Sequence, residues 1–98
     1  MLEQQLQSNI IKYLKAQGYY VVKVIESSKR GTPDVLACSP TGGFVAIEVK
    51  APGKLKGVTP LQYFHLAEVT KRGGVAFAAD SLDTVKEIIF SPQTELEL

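Results

Sequence analysis

Apolar residues fall at Leu2, Leu6, Ile10, Ile11, Tyr13 and Leu14. That spacing predicts an amphipathic helix over residues 2–17, and Gly18 stands where a left-handed residue closes a helix. Residues 19–25 (YYVVKVI) turn to β-branched and aromatic types and predict a first strand. Residues 35–38 (VLAC) and 44–49 (FVAIEV) predict two more, joined by the turn sequence Ser39-Pro40-Thr41-Gly42-Gly43. Thr59-Pro60-Leu61-Gln62 satisfies a capping box with proline at the first helical position and starts a second helix. Leu61, Phe64, Leu66, Ala67 and Val69 give it apolar contacts, and Arg72-Gly73-Gly74 ends it. Residues 74–79 (GVAFAA) predict a fourth strand, and Asp80 or Ser81 caps a last helix over residues 82–89.

In the hairpin, Val35, Ala37, Val45, Ile47 and Val49 share one face and Leu36, Cys38, Phe44 and Ala46 the other. A sheet apolar on both faces is covered on both, so the pattern predicts a small mixed α/β sheet with helices on each side. Cys38 is expected as a small buried residue. The chain is expected to form one domain over residues 1–90, with residues 91–98 as a C-terminal tail. The tail alternates acid and leucine, and it or the first or last helix is a candidate self-association surface.

Composition narrows the classes. No stretch of the 98 residues is apolar enough to span a membrane, and Met1 leads into the first helix without a signal-peptide pattern. A lone cysteine rules out an intrachain disulfide and makes an intracellular, cytoplasmic location the default. The net charge of +1 is not that of a strongly basic nucleic-acid binder. Distribution matters more than the sum, however.

The charged exceptions on the hairpin carry the chemistry. If Cys38 pairs with Phe44, antiparallel partner numbers add to a constant, which sets Asp34 opposite Glu48 with Lys50 two residues along on the same face. Facing carboxylates are destabilising unless a cation lies between them. The oxygens of Asp34 and Glu48 suit Mg²⁺ or Mn²⁺, not the sulfur and imidazole set that zinc favours.

Gly31-Thr32-Pro33-Asp34, then Glu48-Val49-Lys50, then Thr59-Pro60-Leu61-Gln62 resemble the motif series of the virus-type replication-repair nuclease (VRR-NUC) family of PD-(D/E)xK nucleases. The resemblance runs from Glu3 to about Asp80. It implies the αβββαβ restriction-endonuclease-like fold, a Mg²⁺- or Mn²⁺-dependent deoxyribonuclease activity leaving a 5′-phosphate, and a phage, repair or recombination setting in a bacterial or infected cell. It also implies a third metal oxygen from the Val49 carbonyl and a place for Gln62 beside the active site. Glu3-x-x-Leu6-Gln7 is similar to the family's helix-one motif, in which the acid points towards the metal, with Gln7 helping to position site or substrate. The fold is similar to that of small dimeric junction resolvases, which implies a homodimer acting on branched DNA such as four-way (Holliday) junctions.

Each residue also has a plainer reading. Glu3 suits a first helical turn through the dipole alone, and Gln62 has a capping job that competes with a catalytic one. Lys29 and Arg30 precede the motif, and Lys54 and Lys56 lie in a Gly/Pro loop over residues 51–58 that is expected to be mobile; all four are phosphate-contact candidates or ordinary solvated charge. His65 is left unassigned. A silent nucleic-acid-binding module and a small interaction domain remain alternatives.

Overall fold

The computed structural model describes residues 1–89. Its elements run α1 (Glu3–Ala16), β1 (Tyr20–Lys23), β2 (Val35–Cys38), β3 (Phe44–Val49), a 3₁₀ turn (Leu55–Gly57), α2 (Pro60–Lys71), β4 (Val75–Ala79) and α3 (Leu82–Ile88). Helix α1 closes at Gly18, whose φ of 87° a side chain would resist. The Leu2 amide at its other end donates to Gln5 Oε1 at 2.8 Å. The sheet order is β1-β2-β3-β4, with β1, β2 and β3 antiparallel and β4 parallel to β3. A parallel neighbour needs a crossover, and α2 supplies it. Cys38 pairs with Phe44 and Val35 with Ile47, the register expected from the turn.

One face of the sheet is the core. Leu6, Ile10 and Leu14 of α1 cluster with Val35, Ala37, Val45, Ile47, Val49 and Ala79 of the sheet and with Val85 and Ile89 at α3. Tyr13 is held there by its hydroxyl, which donates to the Ile89 carbonyl at 2.8 Å. These residues are the apolar set predicted for that face.

The opposite face is covered only in part. Helix α2 packs chiefly on β3 and β4, leaving β1 and the outer end of the β2–β3 hairpin thinly covered on that side. Tyr20 and Val22 of β1 and Phe44 at the outer end of β3 are exposed, and Cys38, paired with Phe44, is an exposed free thiol where a buried residue was expected. The apolar residues of α2 explain the thin cover. Positions 61, 64, 66, 67 and 69 run around the helix instead of forming one stripe, so Leu66 is buried while Leu61 and Phe64 stay exposed. Strand β1 is shorter than residues 19–25. Residues 51–58 carry the 3₁₀ turn, and the Gly53 amide donates to Asp80 Oδ2 at 3.2 Å. Residues 91–98, the expected tail and candidate association surface, lie outside the described residues.

Candidate active site at the open end of the hairpin

Where the β2–β3 ladder ends, Asp34 is the next residue of β2 and Glu48 the partner that the register assigns it. The ladder does not continue through backbone groups on both sides. The Val49 amide donates to Asp34 Oδ2 at 2.8 Å, while the Asp34 carbonyl accepts from Val24 at 2.8 Å. A carboxylate thus replaces a backbone acceptor where the strands part, and its position is tied to β3.

Glu48 is 3% exposed. Its Oε2 accepts from Gln62 Nε2 at 3.3 Å and lies 3.6 Å from Lys50 Nζ. Its Oε1 is buried with no hydrogen-bond partner. Burial first, and the facing Asp34 carboxyl second, push the Glu48 carboxyl up to about 8, with Lys50 opposing them. An orphaned buried oxygen beside a second carboxylate is electrostatic demand for a cation. Asp34, Glu48 and the Val49 carbonyl are all hard oxygen donors, so the residues present fit Mg²⁺ or Mn²⁺. Among the described residues no three His, Cys, Asp or Glu side chains gather into a metal-binding group, so Glu3 does not join the pair. It sits half-buried in the first turn of α1, where the dipole favours an acid. Gln7 is buried, and its Oε1 also has no partner.

Gln62 resolves a conflict posed by the sequence. Its Oε1 accepts from the Thr59 amide at 2.9 Å and its own amide donates to Thr59 Oγ1 at 3.1 Å. Its Nε2 remains free to reach Glu48. An amide has separate donor and acceptor ends, so capping and site contact coexist in one side chain.

Lys29 and Arg30 are exposed in the loop before Asp34, and Lys54 and Lys56 are exposed around the 3₁₀ turn. Lys29 lines an open groove of about 700 Å³ with Pro33, Leu36, Phe44, Phe64 and Arg72, on the same sheet face as the carboxylates. Arg72 was not singled out from the sequence, because it reads as a helix-ending cation; its guanidinium also pairs with Glu68 at 3.1 Å. His65 carries no role from the sequence for a different reason. Its Nε2 meets the Arg30 carbonyl at 2.8 Å, and no residue pattern advertises a backbone partner.

The order of elements, the mixed sheet and the carboxylate pair at the strand opening define a PD-(D/E)xK-like α/β domain. No family model matches the chain. A solved structure titled "VRR_NUC domain" superposes with a TM-score of 0.75 at 28% identity, covering 87% of this chain and 90% of that one. A second, "VRR_NUC domain protein", has a TM-score of 0.71 at 20% identity over 90% of this chain and 84% of that one, a likeness of fold. The protein named "Putative nuclease p44" of Acyrthosiphon pisum secondary endosymbiont phage 1 is 28% identical over 81 residues, 83% of this chain and 85% of that protein. The fold is that of the VRR_NUC domains, and the two likenesses at 28% identity support a VRR-NUC assignment for the chain.

Proposed function

We propose that the chain is a Mg²⁺- or Mn²⁺-dependent endonuclease that hydrolyses DNA phosphodiester bonds, acting as a homodimer on branched DNA, four-way junctions above all. The observation that carries this reading is the buried, partnerless Glu48 Oε1 facing Asp34 beside Lys50. Asp34, Glu48 and the Val49 carbonyl would hold the ion. A divalent ion so held supplies Lewis acidity toward a phosphate oxygen and lowers the pKa of water for in-line attack.

The chain's own groups do the rest. Lys50 is a cation held at the site by Glu48 and offers its charge to the phosphate as negative charge builds there. Gln62 restrains the Glu48 carboxylate through Oε2, and the Val49 amide restrains Asp34. Lys29, Arg30, Lys54 and Lys56, with Gln7 nearer the core, are the proposed contacts to the strand. The groove on the same sheet face as the carboxylates, lined by Lys29 and Arg72, supports a nucleic-acid path there. A domain of this size has a small core, and twofold self-association is a common remedy. Two identical sites about a twofold axis match a junction, whose two cuts are symmetric. The likeness to a protein named as a phage nuclease supports a phage setting, and the motif resemblance implies a 5′-phosphate product.

The test is cleavage of end-labelled junction, flap and linear duplex with Mg²⁺, with Mn²⁺ and with chelator. Metal-dependent paired nicks on the junction, lost in Asp34→Ala and Glu48→Ala, are expected. Band shifts without cutting would mean a silent binding module, and linear duplex cut as fast as junction would reject the structural preference.

A further inference from the structure

The loop that delivers Asp34 to the site is braced at several points. Within the loop, Thr32 Oγ1 donates to the Lys29 carbonyl at 2.8 Å and lies 2.9 Å from Ser27 Oγ, while the Lys29 amide donates to Ser27 Oγ at 3.2 Å. Pro33 is buried. Two contacts then fasten the loop to α2. His65 Nε2 meets the Arg30 carbonyl at 2.8 Å; a carbonyl only accepts, so Nε2 carries the proton. Gly31 lies under the same helix at φ 80°, where an added Cβ would come 2.9 Å from Leu61 Cγ and 3.2 Å from His65 Cδ2. His65 stands one helical turn beyond Gln62, so both project from neighbouring places on α2. One reaches the segment ahead of Asp34, and the other reaches Glu48.

We propose that His65 is a positioning residue: by donating to the Arg30 carbonyl it fixes the segment ahead of Asp34 to the helix that restrains Glu48, and so sets the spacing of the two carboxylates. The link rests on the metal-site reading for its catalytic consequence, but not for its structural one. The Val49 amide, which donates to Asp34 Oδ2, reports on Asp34 without any metal or substrate.

The discriminating pair is His65→Gln and His65→Asn. Glutamine places an amide donor near the reach of Nε2, whereas asparagine withdraws it towards the helix; both are polar and keep the helix surface wettable. Arg30 is exposed, so water replaces the lost donor and both variants are expected to fold. Hydrogen exchange of the Val49 amide, followed by NMR in chelator, should match the parent in His65→Gln and rise about tenfold in His65→Asn. Calorimetric Mn²⁺ affinity should follow, within about twofold of the parent for glutamine and about tenfold weaker for asparagine, the scale expected for an outer partner of a metal ligand. Equal Val49 exchange in parent and His65→Asn overturns the positioning role. A parent that binds no Mn²⁺ overturns the metal-site reading instead, and the amide exchange still decides the role of His65.

Discussion

Replacing Glu48 by glutamine should make the metal-free protein more stable while abolishing cleavage. Burial and Asp34 raise the Glu48 carboxyl from 4.5 to about 8. Between those values the unfolded chain ionises while the folded chain holds its proton, so the group's stability contribution is present below the unfolded pKa and is lost as pH rises through about 8. At about 1.4 kcal/mol per unit, the loss accumulated by pH 7 approaches roughly 3 kcal/mol. Relaxation and water penetration around a buried charge bring this to about 2 kcal/mol. Glutamine carries no charge, keeps an acceptor for Gln62 and escapes the loss. Glu48→Gln should therefore melt about 10 °C above the parent at pH 7 in chelator, and the gap should close below pH 4.5. Saturating Mg²⁺ should narrow or reverse it, because an ion at a hundredfold its Kd adds about 2.7 kcal/mol to the parent alone. Thermal unfolding by circular dichroism from pH 4 to 9, with and without Mg²⁺, reads all of this. A variant no more stable than the parent at pH 8 in chelator refutes the electrostatic account of the site.

Lys50→Ala should keep Mn²⁺ binding and most DNA affinity yet lose about a hundredfold or more in single-turnover cleavage, since its charge acts chiefly as the transition state forms; parental cutting would reduce it to a strand-end charge. Gln62→Glu keeps the acceptor that caps Thr59 but loses the donor to Glu48 and adds a third carboxylate, so melting in Mg²⁺ should hold while cleavage falls about tenfold or more. Full activity in that variant would leave Gln62 with capping alone.

Much of this architecture could be read from residue order, for identifiable reasons. The turn Ser39-Pro40-Thr41-Gly42-Gly43 is short enough to set the register, and the register alone puts Asp34 opposite Glu48. The capping box announced the start of α2 and its proline. What stayed hidden depends on tertiary placement. Alternation tells which residues share a face but not how far a helix reaches across it, hence the exposed Cys38 and Phe44. The two-ended use of Gln62 needs the distance from α2 to β3. The spacing of His65 from Gln62 was a usable signal for a shared face, but its carbonyl partner was not.

The connectivity of the sheet also orders the events of folding. Strands β1, β2 and β3 form a meander of near neighbours, and hairpins of this kind form in about microseconds. Strand β4 can pair only after the chain has crossed from Val49 to Val75 through α2, a non-local step that slows folding. Connectivity alone would bring the two carboxylates face to face with the earliest contacts and the helix bearing Gln62 and His65 with the latest. Until it docks, the hairpin would hold its facing carboxylates at its fraying end, and the opening between Asp34 and Glu48 would be the last part of the sheet to become rigid.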